Sequence, residues 1–464
     1  MNSLEHSPIP VTAHAGNSVS GMSPHAQKVF HERFSAMKAA SAWSSDESRA
    51  YQLKQLRSTL VRALNHVPYY RTNYASKFSS LAKITDLSAI EALPIIDKTI
   101  VRNNHRQFIA DDVTIEALTY MTTGGSTGDP LKIMMDDAFN GRTHANTWYY
   151  LWTVGFAPEA HLSIRLHGNT IDQELVDQGQ FWSWEGKRLT MSVYHIDETT
   201  AAVYVQAINA HEPEYIHAYP SALAILCRYI ENQNLQVTHT LKWAFVDSET
   251  LHPWQKELFQ RVLKCEVFSV YGHTEGAGMA ITCADCGTMV TPPHVGLMEL
   301  LRSDGTPALP GEKGEIVVTG FNNDVFPLIR YRTGDHATLA PDHGCWGCQY
   351  AGIRLSDIQG RVQDYVVTSS GKPISIAPAL FDYNFDWSEI DRFQIFQERP
   401  GNLLFRIVVP DSVTDRAQIE QRVVHGFGRI LNGQFSIRVS FVEEIPYTPR
   451  GKYRYVDQRL PINA

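Results

Sequence analysis

Between Tyr120 and Pro130 the chain reads Tyr120-Met121-Thr122-Thr123-Gly124-Gly125-Ser126-Thr127-Gly128-Asp129-Pro130. Its glycines allow backbone conformations closed to other residues and leave amide N–H groups uncovered. The hydroxyls of Thr122, Thr123, Ser126 and Thr127 add donors, and the set suits a polyphosphate. The same residues would also make a polar surface turn, because Gly/Ser/Thr clusters mark loops. The nucleotide-loop pattern G-x-x-x-x-G-K-[ST] is absent, with Pro130 and no Lys-Ser or Lys-Thr following, which argues against a Walker-type fold. Two further polar sets close apolar runs: Asp247-Ser248-Glu249, and Gly272-His273-Thr274-Glu275.

Four of the six cysteines form two close pairs, Cys283-x-x-Cys286 and Cys345-x-x-Cys348. Two such turns can present four thiolates at tetrahedral corners, the arrangement a structural Zn²⁺ prefers. Unrelated thiols and a redox pair are the competing readings. The long segment between the pairs makes the spacing less diagnostic, but Gly287, Gly344 and Gly347 favour tight turns. Disulfides are disfavoured in a reducing cytosol, and thioredoxin-like chemistry lacks its usual surroundings. His294 could replace one Cys, while Cys227 and Cys265, in apolar surroundings, read as core thiols.

Such groups need elements to hold them. A capping Ser45 or Asp46 before Leu53, Leu56, Leu60, Leu64 and Val67 predicts an amphipathic helix stopped by Pro68. Leu93 to Lys98 reads as a short extended segment. Helical spacing returns over 137–152, with Trp148, Tyr149, Tyr150 and Trp152 either packing in a core or lining an organic-substrate pocket. Beta-branched runs at 215–219, 243–246 and 266–271 alternate with helical stretches at 220–232 and 252–264, which predicts a largely parallel α/β sheet. Ligands of such sheets sit at the carboxyl ends of strands, where the polar sets fall. The texture from about 290 to 360 is that of a β-rich subdomain. Past Gly360-Arg361 a small separate α+β domain is expected, with a helix at about 414–431. The expected division is a poorly ordered tail over 1–24, a large N-terminal domain over 25–362 and a C-terminal domain over 363–464. The 464 residues suffice for several structural units. A net charge of −8 gives no global attraction to nucleic acid, and no apolar run reaches the ~18 residues of a membrane span. With no secretory leader pattern, a soluble cytoplasmic protein is expected.

Five motifs occur in order: Thr123 to Pro130, Tyr271 to Glu275, Tyr331-Arg332-Thr333-Gly334-Asp335, Gly360-Arg361 and Pro449-Arg450-Gly451-Lys452. Together they resemble the adenylate-forming superfamily of acyl-CoA synthetases, adenylation domains and luciferases. Val67 to Tyr70, Leu93 to Lys98 and Phe326 to Asp335 are most similar to its phenylacetate–CoA ligase branch. The resemblance implies a large adenylation domain and a small mobile C-terminal lid. It implies that Thr123, Gly124, Gly125, Ser126, Thr127 and Gly128 hold the ATP phosphates, and that the Tyr271 ring, beside Gly272, lies against adenine. Thr274 would contact phosphate, Glu275 would help hold Mg²⁺, and Ser248 and Glu249 would flank the adenine. Asp335 would accept from the ribose hydroxyls with Arg361 assisting. Lys452 would bridge the substrate carboxylate and the α-phosphate, a compact cation between two anions.

The implied reaction joins a carboxylate to ATP as an acyl adenylate, releases pyrophosphate, and passes the acyl group to a thiol, CoA foremost. Carrier-protein thiols and amines are the other acceptors, and a non-catalytic nucleotide-binding regulator is the remaining alternative. At the hinge, where the family carries Asp or Lys, this chain has Gln363. Trp148, Tyr149, Trp152, His167, Asn169, Tyr219 and Pro220 are candidate acid-pocket residues, and their aromatic weight favours an aryl or unsaturated acid.

Overall fold

The computed structural model describes residues 19–74, 84–122, 131–156, 162–167, 171–341, 345, 348, 352–359, 365–371, 373–375, 389–410, 413–431, 434–447 and 453–460. Helix α1 (Pro24–Ala40) is N-capped by Ser23, whose side chain accepts from the Ala26 amide. Val19, just upstream and within the stretch expected to be a tail, is buried. Helix α2 (Ser45–His66) opens on a capping box in which Ser44 and Glu47 satisfy each other's amides, one residue before the cap read from the sequence. It ends at extended Val67, as the residue before a proline must. Two short helices follow, α3 (Pro68–Tyr74) and α4 (Lys98–Asn103), the second capped by Asp97.

Strands β1 (Thr119–Thr122) and β2 (Lys132–Met135) pair antiparallel and flank residues 123–130. Helix α5 (Asp137–Thr153) is capped by Asp136 and packs along α1. The two approach at Gly141, where a Cβ would lie 2.4 Å from the Ala26 carbonyl oxygen, so no larger residue fits without parting the helices.

Next come β3 (Ser163–His167), α6 (Gln173–Asp177), β4 (Trp182–Glu185), β5 (Arg188–Ser192), α7 (Ala201–His211), β6 (Tyr215–Ala218), α8 (Pro220–Asn232), β7 (Trp243–Asp247), α9 (Pro253–Leu263) and β8 (Glu266–Gly272). Strands β5-β3-β6-β7-β8 are parallel in that order. The sheet continues antiparallel through β9 (Met279–Thr282), β10 (Met289–Val290), β11 (Gly296–Leu301), β12 (Lys313–Gly320), β13 (Tyr331–Leu339) and β14 (Arg354–Gln359). Its full order is β11-β12-β13-β14-β10-β9-β8-β7-β6-β3-β5-β4. The fold is α/β, as the alternation of strand and helix signals required.

Alternate residues of the parallel strands face opposite layers. Ile164, Leu166, Ile216, Ala218, Ala244 and Val246 enter one core with α7, α8 and α9. Each large aliphatic chain so buried contributes roughly 1.5–3 kcal/mol. The other parity, Arg165, His167, His217, Phe245 and Asp247, faces α5, where the Tyr150 ring meets Phe245 edge-on at 5.5 Å. On the antiparallel half, α2 to α4 cover β11 to β14. There Arg330 is buried at φ +50°. It donates to the carbonyls of Glu91 and Leu93 at 2.9 and 2.7 Å and to the Glu299 carboxylate at 2.7 Å. Ile96, in the expected extended segment, bridges to Tyr331. The start of β13 is therefore held from both sides.

The C-terminal residues form their own layer. Strands β15 (Tyr365–Val367) and β16 (Pro373–Ser375) make a hairpin, while β17 (Arg392–Gln397), β18 (Asn402–Val408), β19 (Ser436–Phe441) and β20 (Val456–Gln458) form a sheet ordered β19-β18-β17-β20. Helix α10 (Arg416–Ile430) packs on it through Ile419, Val423 and Phe427. The expected boundary at 362/363 and Gln363 lie outside the described residues. Among the described residues, no helix is long and apolar enough to cross a membrane.

Candidate active site

Two carboxylates, one just past β8 and one within β13, are buried by a reciprocal device. Strand β8 runs into Gly272-His273-Thr274-Glu275, and Glu275 is only 2% exposed. Its two oxygens meet the Tyr331 hydroxyl at 2.9 Å and His273 Nδ1 at 3.1 Å. Gly276, at φ +64°, closes the turn against the Phe139 ring of α5, 2.6 Å from where a Cβ would sit. Asp335 is 6% exposed and accepts from the Tyr271 hydroxyl at 2.8 Å. Each of the two motifs, Tyr271 to Glu275 and Tyr331 to Asp335, thus donates its tyrosine to the acid of the other. In the sheet order β8 and β13 are separated by β9, β10 and β14, so these bonds cross between non-neighbouring strands.

A bulge aims Asp335. Between the pairs Val317↔Arg332 and Glu315↔His336, Ile316 alone on β12 opposes Thr333, Gly334 and Asp335 on β13. Gly334 takes φ +78°, a conformation that favours glycine. The Thr333 hydroxyl donates to the Ile316 carbonyl at 2.9 Å and accepts from the Asp335 amide at 3.0 Å, fixing the bulge internally. Burial, followed by repulsion from Asp335, pushes the Tyr271 phenol well above its usual range, so it stays a donor.

One strand further along, Ser248 has φ +67°, a strained state for a residue with a side chain at the carboxyl end of β7. Glu249 turns toward α8 and accepts from Ser221 N and Oγ at 2.9 and 3.0 Å, a carboxylate on a helix N-terminus. Ile445 and Tyr453, on either side of Lys452, are buried in the core of the parallel strands. Tyr447 packs edge-on against Tyr194 at 5.6 Å. Tyr447 and Tyr455 also lie near enough to Glu249 for its charge to add to the burial that raises both phenols. Thr123, Gly124, Gly125, Ser126, Thr127, Gly128, Asn169, Arg361 and Lys452 lie outside the described residues.

The acid-pocket candidates divide. His167, Tyr219 and Pro220 gather at the ends of β3 and β6, with the His167 and Tyr219 rings 4.4 Å apart. Trp148 instead turns to α1, edge-on to Phe30 at 5.1 Å and Phe34 at 6.0 Å. Tyr149 is buried, stacked on half-exposed Trp152 at 5.8 Å. Sequence reasoning named Asp247 only as part of the polar set closing β7 and missed His217; the Asp247 carboxylate accepts from His167 Nε2 at 3.1 Å and His217 Nε2 at 2.9 Å. Strand parity was the available signal: both histidines alternate with apolar residues on adjacent strands.

The cysteines converge. Cys283 and Cys345 sulfurs are 3.9 Å apart, as are those of Cys286 and Cys348, and all four lie within 4.8 Å of one another. Tetrahedral Zn–S bonds of ~2.3 Å would place sulfurs about 3.8 Å apart, so the set fits that ion. Gly287, at φ +73°, forms the turn. His294 takes no part in it. Its ring lies against Tyr51 at 4.5 Å and Trp43 at 5.2 Å. Burial raises the Cys227 and Cys265 thiols, the second to about 12, as expected of core thiols.

Residues 179–323 match the AMP-binding enzyme family and residues 368–459 the CapK C-terminal domain. The phenylacetate-coenzyme A ligase of Pseudomonas putida is 26% identical over 419 residues, spanning 85% of this chain and 88% of that protein. The chain belongs to the adenylate-forming superfamily. This adenylate-forming protein lies in the phenylacetate–CoA ligase-like branch and is an ATP-dependent ligase of the acid–thiol type. Protein CapK of Staphylococcus aureus is 24% identical over 396 residues, 82% of this chain and 86% of that one. A crystal structure of 2-hydroxyisobutyryl-CoA ligase in the postadenylation state shares the fold of this adenylate-forming chain, with a TM-score of 0.67 at 17% identity over 89% of this chain and 90% of that one.

Burial holds three histidines of the ligase neutral, moving His167 and His294 down to about 3 and His252 to about 4. Their unfolded value is about 6.5, so below that pH the unfolded chain binds protons that the fold refuses, and stability falls as pH drops. The midpoint of thermal unfolding is expected to decline from pH 6.5 to 5, and His294→Gln to flatten that decline. An equal slope in the variant would contradict the assignment.

Proposed function

We propose that the enzyme activates a small carboxylic acid as its acyl adenylate and then transfers the acyl group to the thiol of coenzyme A. The carboxylate oxygen attacks the α-phosphorus of ATP and pyrophosphate leaves. The CoA sulfur then attacks the acyl carbon and AMP leaves, the thiol proton passing to solvent. Positioning and electrostatics carry the first step, and no nucleophilic side chain is required.

The observation that carries the reading is the pair of buried carboxylates, Glu275 just past the carboxyl end of β8 and Asp335 in the bulge of β13, each held by the other motif's tyrosine. In this reading Asp335, with Arg361, takes the ribose hydroxyls, and the ring of Tyr271, beside Gly272, takes the adenine. Thr123 to Gly128 and Thr274 take the phosphates. Glu275 supplies a hard anionic oxygen of the kind that holds Mg²⁺, an ion that offsets phosphate charge when bound. Lys452 would stand between the carboxylate and the α-phosphate. The burial of its flanks, Ile445 and Tyr453, against the parallel-strand core supports that placement. Residues 25–362 would act as the adenylation body and 363–464 as a lid turning about Gln363. The four clustered thiols would hold a structural Zn²⁺, which requires a reducing compartment such as the cytoplasm.

Purified protein with MgATP is expected to release pyrophosphate only when a suitable carboxylic acid is added, with CoA raising turnover and an acyl-CoA mass appearing. Stimulation by amines instead of CoA would replace the thioester by an amide. Lys452→Ala should slow adenylation about 10²–10³-fold, and an unchanged rate would remove the proposed role of the lysine. Metal analysis should find about one zinc per chain, and its removal by a chelator should lower the unfolding temperature by several degrees. Protein free of zinc with the same unfolding temperature would show the thiols to be unrelated.

A further inference from the structure

At the carboxyl ends of β3, β6 and β7, next to the end of β8 that carries the nucleotide half of the site, one face of the sheet is unusually polar. Asp247 holds two histidines, one on each oxygen. A carboxylate only accepts, so Nε2 carries the proton on both rings. Burial keeps His167 neutral at neutral pH. Its Nδ1, on the ring edge away from Asp247, is therefore a bare lone pair, and this buried atom has no hydrogen-bond partner among the described residues. His167 is 4% exposed.

Two more buried polar atoms on the same face are in that condition. The Tyr150 hydroxyl, which α5 brings close enough to Asp247 to feel its charge, has no partner among the described residues, and neither has Arg165 Nε, two residues before His167 on the same strand. A buried polar group left unpaired is destabilising, and three on one face mark a place built for a polar guest.

We propose that this face recognises a hydroxyl group on the acid, so that the enzyme selects a hydroxy-substituted carboxylic acid over its deoxy counterpart. A hydroxyl can donate to His167 Nδ1 and accept from Tyr150 at once, which neither a hydrocarbon nor an ether can do. This rests on the adenylation reading above and replaces the aromatic emphasis of the sequence by a polar one. A metal held by His167, His217 and Asp247 is the competing use of the same atoms. Against it, both Nε2 atoms stand at hydrogen-bond distances from the carboxylate. A metal-bound imidazole also normally donates its other N–H outward, and His167 Nδ1 meets no acceptor among the described residues.

The test is pyrophosphate release with matched acids: 4-hydroxybenzoate and benzoate, 3-hydroxyphenylacetate and phenylacetate, 3-hydroxybutyrate and butyrate. The ratio of kcat/KM within a pair is the readout, because a merely structural role would move both members together. At least one hydroxy acid is expected to be preferred by about 10–100-fold or more. His167→Phe, which keeps the ring volume, should bring that ratio to within a few-fold, and Tyr150→Phe should reduce it. Deoxy acids used as well as their partners, or a ratio that survives both substitutions, would overturn the inference and leave adenylation standing. A second metal ion per chain that His167→Phe loses would also overturn it. No release with any acid would overturn the adenylation reading, and this inference with it.

Discussion

The site depends on two hydrogen bonds exchanged between strands that are not neighbours. Tyr271 gives its hydroxyl to Asp335, and Tyr331 gives its own to Glu275. Both carboxylates are nearly inaccessible, and a buried carboxylate without donors would either be destabilising or take up a proton. The tyrosines keep both acids in place and lock the parallel half of the sheet to the antiparallel half. The bulge at Thr333 to Asp335 and the Gly276 turn are what let the two motifs face each other. The clamp of Arg330 on Glu91, Leu93 and Glu299 then fixes where Tyr331 begins.

Near the Glu275 turn that follows β8 lies a second polar group, Asp247, His217 and His167, one, two and three strands along the sheet from β8. The division of labour follows from strand parity. Residues on one parity fill the core with α7 to α9, and those on the other face α5, where the last positions of β3 and β7 are the polar His167 and Asp247. Cavity-filling aromatics such as Phe245 and Tyr150 end where Asp247 begins. Aromatic packing and a polar hydrogen-bonded group thus share a single face.

Much of this was legible in the sequence. Helices α2, α5, α8 and α9 followed from caps, spacing and prolines, and the polar closures at 247–249 and 272–275 did fall at strand ends. Helix α1 was missed because its buried positions, Ala26, Phe30, Met37 and Ala40, gain meaning only from α5, whose Gly141 admits it. The aromatic cluster of α5 misled for a related reason: spacing shows that Trp148 and Tyr149 are on a helix, not what each one meets. The reciprocal bonds were invisible because a tyrosine four residues before an acid reads as a local unit, and only the sheet order shows that the partner is in the other motif. The four sulfurs were legible as a pattern, and their convergence required the turn at Gly287 and the return of the chain after β13.

The most direct test is calorimetric titration of AMP into the wild-type enzyme and into Asp335→Asn, which keeps the side-chain volume and an oxygen for the Tyr271 hydroxyl. If Asp335 grips the nucleotide as a charged acceptor, the wild type binds AMP, and the variant binds about 10–100-fold more weakly with little change in unfolding temperature. Equal affinities in the two proteins, or no binding by the wild type, would contradict the account of the paired carboxylates.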